Sequence, residues 1–184
     1  MNKYLIDTSS LLILTRYFNP FDKTFFHDWL KKMFISNDFL LLDSVKNECK
    51  KVSKGAVLSE YSFLDSNEMK KKTLKSEENI SRKIHNKIDN NWVANNHKLN
   101  ENEYDGVKNK FITSADCQLI ICALRHNDCS SNYIVITEES SHSNDNKLFK
   151  KLPLICKNEQ IQCVNITEVL KRFIKIDFHI INLT

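Results

Sequence analysis

Glycine is nearly missing from this sequence: the 184-residue chain holds two, Gly55 and Gly106. That scarcity excludes sites built on close backbone approach. No G-x-x-x-x-G-K-[ST] loop and no G-x-G-x-x-G turn is present, so a P-loop and the usual dinucleotide cradle are both ruled out. A G-x-S-x-G nucleophile elbow is missing as well, and so is H-E-x-x-H. The histidines, His27, His85, His97, His126, His142 and His179, are scattered and read as structural or solvated. Long apolar runs are also lacking, and none approaches the roughly 20 residues that span a bilayer. The N-terminus shows no basic region, apolar core and small-residue cleavage site of a signal peptide. The expectation is a soluble cytoplasmic protein with no membrane partner.

Metal-type cysteine spacing is lacking too. Cys49, Cys117, Cys122, Cys129, Cys156 and Cys163 contain no C-x-x-C pair, and no histidine stands at a zinc-finger distance. Most lie in apolar surroundings, which suits reduced core thiols.

What is present is a globular composition, 41% hydrophobic and 27% charged. The length fits one domain with a helical insertion at about residues 54–110. The net charge is +4 and the pI about 8.6, a mild basicity compatible with nucleic acid. Lys70, Lys71, Lys72, Lys75, Arg82, Lys83 and Lys87 gather in one polar region. By itself such a run is a solvated helix face.

The apolar pattern predicts strands at Lys3–Ile6, Phe39–Leu42, Tyr133–Thr137 and Ile161–Val164. Between them it predicts helices over Thr8–Phe18, capped by Asp7 or Thr8, and Lys23–Phe34, capped by Asp22. Phe25, Phe26, Trp29, Leu30 and Met33 mark the apolar face of the second. Further helices are expected over Ser44–Val52, from Thr113 or Ser114 to His126, and from Asn165 or Thr167 to Phe173. Ile80, Ile84, Ile88 and Trp92, in steps of four, suggest a helix over Ser76–Lys98 within a shallowly packed polar middle. Trp29 and Trp92 read as core rather than as base-stacking platforms. Strands alternating with helices argue for an α/β sandwich around a parallel sheet.

Three predicted strands end in acids: Asp7, Asp43 and Glu138-Glu139. In open α/β sheets ligands sit outside the carboxyl ends of the strands, and Glu48 and Asp116 lie on helices that begin at the same edge. Singly, each acid is equally a helix cap or a surface residue, and Asp22 and Asp43 are best read as caps. Together they would repel. Two carboxylates about 4 Å apart cost roughly 4 kcal/mol at an effective dielectric of 20. Such a cluster must take up protons or a cation, and an all-oxygen donor set suits Mg²⁺ or Mn²⁺.

The ordered set resembles the PIN-domain nucleases. The matching stretches are Leu5-Ile6-Asp7-Thr8-Ser9-Ser10, Val45-Lys46-Asn47-Glu48, Ser114-Ala115-Asp116-Cys117 and Val135-Ile136-Thr137-Glu138-Glu139. Phe18 to Asp22, an aromatic-Asn-Pro-Phe-Asp stretch, is similar to a branch of that family, and the chain also resembles toxins of toxin–antitoxin pairs. The likeness spans about residues 1–52 and 111–173. It implies a PIN-like three-layer sandwich with a central parallel sheet and a metal-dependent endoribonuclease. Asp7, Glu48 and Asp116 would hold Mg²⁺ or Mn²⁺. Glu139 would stand where the family often has Asp, with Glu138 as its substitute. Ser9 and Thr137 would orient water or a carboxylate. The implied partners are RNA, an antitoxin protein and a second copy of the chain. Two other readings stay open. One is an inactive RNA- or protein-binding module. The other is a haloacid-dehalogenase-type phosphatase, which would call for an acid where Ser9 stands.

Overall fold

The structure, a computed structural model, describes residues 2–94, 99–127, 132–141 and 147–174. His97, Cys129, His142 and His179 lie outside the described residues.

Strand β1 (Asn2–Ile6) is apolar where it is deepest, with Leu5 and Ile6 fully buried. Helix α1 (Thr8–Ile13) follows at once and widens into a π-helical stretch, Leu14–Phe18. Asp7 is its N-cap, accepting from the Thr8 N–H. Helix α2 (Lys23–Ile35) starts at Asp22, whose side chain accepts from the Phe25 N–H at 2.9 Å. Its buried face is Phe26, Leu30, Met33 and Phe34. Phe25, expected on that face, is left exposed. The Phe18–Asp22 stretch is anchored structurally: buried Asn19 accepts from the Tyr61 hydroxyl at 2.8 Å, and Asp22 caps α2.

Strand β2 (Phe39–Leu40) leads into α3 (Asp43–Lys51). Asp43 was expected to cap this helix, but its carboxylate instead accepts from the Ser76 N–H and hydroxyl, pinning the following segment. Helix α4 (Ala56–Glu60), α5 (Asn67–Lys72), α6 (Arg82–Lys87) and α7 (Glu101–Ile112) form the polar middle. The expectation of shallow packing there is corrected: Val57, Tyr61, Leu64, Ile88 and Trp92 are buried to 1% exposure or less. Of the helix expected over 76–98, residues 95–98 lie outside the described residues, and over the rest the helical stretches are α6 and a π-helical turn, Ile88–Trp92. Ser81 caps α6 and leaves Ile80 outside it. Glu77 is held non-helically, its N–H and carbonyl both hydrogen-bonded to buried Gln118. Leu74 makes a parallel bridge to Leu42, its N–H donating to the Leu41 carbonyl and its carbonyl accepting from the Asp43 N–H, both at 2.9 Å, so the segment is stitched to the chain just after β2.

Helix α8 (Ala115–His126), capped by Ser114, buries eight consecutive-turn side chains from Ala115 through Ala123. It precedes β3 (Asn132–Ile136). Helix α9 (Leu152–Asn158), opened by Pro153, was not expected from the sequence. Strand β4 (Cys163–Val164) and α10 (Ile166–Ile174) complete the described chain, with Asn165 accepting from the Glu168 N–H. The four strands form one parallel sheet in the order β2-β1-β3-β4. From β1 the chain goes to β2 on one side, while β3 and β4 lie on the other. The carboxyl ends of β1 and β3 therefore flank a topological switch point, where open parallel sheets present their crevice. Ile6 pairs with Ile136, so Asp7 and Thr137 leave the sheet side by side.

Candidate metal centre at the sheet edge

Asp7 is 4% exposed. A buried carboxylate costs free energy unless its oxygens are satisfied, and here they are. One oxygen accepts from the Thr8 N–H at 2.6 Å. The other accepts from the Ser9 hydroxyl at 2.6 Å and the Thr137 hydroxyl at 2.9 Å. The Asp7 N–H donates to the Ile136 carbonyl at 2.9 Å, which fixes its backbone to β3. Ser9 and Thr137 thus both donate to the same oxygen of Asp7.

Glu48 sits in the second turn of α3, on the side shared by buried Val45 and Cys49. Its carboxylate accepts from the Thr8 hydroxyl. Thr8 therefore joins the first and second acids, a role the sequence reading missed. The only signal was its place between Asp7 and Ser9, which also suits a plain helix start.

Asp116, in the first turn of α8, is half-buried. Burial, then the charges of Asp7, Glu139 and Glu48, push its carboxyl up to about 7, and Lys147 opposes the shift. These acids come from four separate elements, and each of the other three is near enough to bear on Asp116. Lys147 is a second residue that no sequence pattern marked. Its segment is fixed beside the site by the Val93–Phe149 bridge and by Phe149 stacking on Phe111, with ring centroids 4.1 Å apart.

The adjacent acids after β3 divide. Glu139 accepts from the Leu152 N–H of α9 at 3.3 Å and bears on Asp116. Glu138 turns to the start of α10, accepting from the Ile166 N–H at 2.7 Å and from the Ser10 hydroxyl at 3.2 Å. Of the two, Glu139 belongs to the cluster, while Glu138 ties α10 to α1. Asp22 and Asp43 stay with their structural partners.

The donor set is all oxygen and rich in negative charge, which fits a hard divalent cation. Among the described residues, no group of three or more His, Cys, Asp or Glu side chains is already close enough to hold a metal ion. Coordination of one ion by three acids would require carboxylates to turn from their hydroxyl partners towards one another. Among the described residues, no helix is long and apolar enough to cross a membrane.

A family model spans residues 4–175, and so includes every acid of the cluster. The chain belongs to the DUF4411 family. That family is described as a domain of unknown function. The matched span takes in the segment between α3 and α8. Neither the comparison with curated proteins nor that with solved structures finds a match.

Proposed function

We propose that this chain is a metal-dependent endoribonuclease with a PIN-like arrangement of acids. The observation that carries the reading is the convergence of Asp7, Glu48, Asp116 and Glu139 at the switch point: burial first, and then the other three acids, push the Asp116 carboxyl up to about 7. In this reading Asp7, Glu48 and Asp116 hold Mg²⁺ or Mn²⁺. The bound ion supplies charge stabilisation at a phosphodiester and a more acidic water. Ser9 and Thr137 hold the Asp7 carboxylate in one orientation, and Thr8 does the same for Glu48. Glu139, which accepts from the Leu152 N–H, would take a proton from the attacking water in this reading. Lys147 brings positive charge to a mouth otherwise repulsive to phosphate.

The toxin role, with an antitoxin protein covering the acidic mouth, rests on the resemblance and the small size of the chain. Growth arrest on expression, relieved by a neighbouring gene's product, would support it, and a lack of any growth effect would count against it. The nuclease reading is tested by incubating purified protein with RNA and Mg²⁺ or Mn²⁺. Cleavage is expected, with loss of it in the Asp7→Asn, Asp116→Asn double variant. Undiminished cleavage by that variant would overturn the assignment.

One observation favours a second reading, a binding module without turnover. The hydroxyls of Thr8, Ser9 and Thr137 already occupy the carboxylate oxygens of Glu48 and Asp7. Tight RNA binding without cleavage across a series of divalent metals would select it.

A further inference from the structure

Cys156 and Cys163 stand apart from the other buried thiols. Cys156 lies on α9 and is fully buried, whereas Cys163 opens β4 and is partly exposed. The turn that leads from α9 to β4 is closed by the Ile161 N–H donating to the Cys156 carbonyl at 2.8 Å. The two side chains meet thiol to thiol. Cys163 also lines a cleft of about 450 Å³ that includes Thr137, Glu139, Pro153 and Lys157, whereas Cys156 does not line it.

We infer that Cys156 and Cys163 form a redox-modifiable dithiol, which hydroperoxides convert to an internal disulfide between α9 and β4. The roles of the sulfurs follow from their surroundings. Reactivity towards peroxide belongs to an accessible thiolate. Hydrogen bonding from Cys156 holds the Cys163 thiol below its ordinary value, while that contact and burial push Cys156 up. Cys163 therefore attacks. Its thiolate sulfur takes one peroxide oxygen as the O–O bond breaks, and the departing alkoxide or hydroxide takes up a proton. The sulfenic acid on Cys163 then meets Cys156. A sulfur–sulfur bond forms, the sulfur–oxygen bond breaks, and water leaves with the Cys156 proton. The dithiol loses two electrons and two protons, and the peroxide is reduced by the same two electrons. The helix that carries Cys156 also donates its Leu152 N–H to Glu139, so the bridge would brace one wall of the acid cluster.

Lys157 lies between the two cysteines, which makes the test direct. Native protein is treated with hydrogen peroxide, freed of excess peroxide, denatured in the presence of an alkylating reagent and digested with trypsin. The peptides 152–157 and 158–171 should be recovered joined, unalkylated, and separable by dithiothreitol. Cys49, Cys117 and Cys122, buried in the core, should stay reduced. In Cys156→Ser, Cys163 should be trapped as a sulfenic acid by a dimedone probe, and in Cys163→Ser, Cys156 should remain an alkylatable thiol. Recovery of both wild-type peptides fully alkylated would overturn the inference. So would a bridge from either residue to a different cysteine, or oxidation of Cys156 in the Cys163→Ser protein.

Discussion

Acidic side chains in this molecule live in two kinds of place, and the contrast separates scaffold from site. Around the polar middle nearly every acid that the fold uses has its own cation. Lys87 pairs with Glu159, Lys108 with Asp89 at 2.6 Å, Lys46 with Asp65 at 2.9 Å, and Lys75 approaches Asp43 at 3.7 Å. Partial burial pushes Asp43, Asp89 and Glu159 up, but their hydrogen bonds and cations outweigh it and hold all three below the ordinary carboxylate range. At the sheet edge the order is reversed. Burial raises the Asp116 carboxyl, and three acids against one lysine add to the rise instead of offsetting it. A fold that pairs its peripheral acids so consistently leaves this cluster unpaired at its switch point. Burial is the largest cause of that rise and the surplus of acids adds to it, so the two together mark where an added cation or proton belongs.

The comparison can be broken most severely at the cluster itself. In the nuclease reading, the Asp7→Asn, Asp116→Asn double variant should lose at least about 100-fold in RNA cleavage rate, because two of three cation-holding carboxylates are gone. A time course of product formation reads this. On the scaffold side, Trp92→Ala removes a fully buried ring and its 2.8 Å hydrogen bond to Glu159. The expected cost is about 3–5 kcal/mol, measured by denaturant unfolding.

A third change sharpens the contrast through pH. The native Asp116 pKa, about 7, lies above the unfolded value near 3.8. The folded state therefore binds the extra proton, and its advantage is complete below about pH 4 and lost as pH rises through 7. Asp116→Asn should stabilise the metal-free protein by on the order of 1–3 kcal/mol at pH 8 and hardly at all at pH 4. Urea melts at the two pH values give the difference.

Smaller still is the division between neighbours after β3. Glu139→Gln should weaken the stabilisation by Mn²⁺ several-fold, while Glu138→Gln should leave it and lower only the metal-free melting temperature. Equal effects of the two would erase the distinction drawn from their hydrogen bonds. Smallest of all, Asp65→Asn removes the exposed partner of Lys46 and should leave the metal response unchanged in the same melts.

Much of this was legible in the sequence, for identifiable reasons. The runs at Leu5-Ile6 and Ile134-Val135-Ile136 are buried on both faces, as parallel strands require. Asp22, Ser114 and Asn165 announce helix starts because their side chains are the ones that accept from free N–H groups. The order of acids on those elements then follows from the parallel topology. The polar middle misled for a physical reason as well. A few large side chains, Tyr61, Ile88 and Trp92, anchor it amid many polar residues, and composition alone reads such a segment as shallowly packed. Contacts distant in sequence, from Asp43 to Ser76 and Gln118 to Glu77, override the local helical pattern there. Helix α9 is seven residues long and begins with Leu-Pro, which leaves little pattern to read. Thr8 and Lys147 were missed because their roles exist only once α3 and the segment after β3 are folded against α1 and α8.

The most direct measurement of the central claim is thermal unfolding of the wild-type protein with and without Mg²⁺ or Mn²⁺ across pH 5 to 8. Binding to the native state alone stabilises by about 2.7 kcal/mol at 100 times the dissociation constant. The melting temperature should rise with metal at pH 8, and the rise should shrink below about pH 7 as Asp116 takes up its proton. It should also vanish in the Asp7→Asn, Asp116→Asn protein. A metal-induced rise that persists unchanged in that variant, or no rise at any pH, would contradict the account.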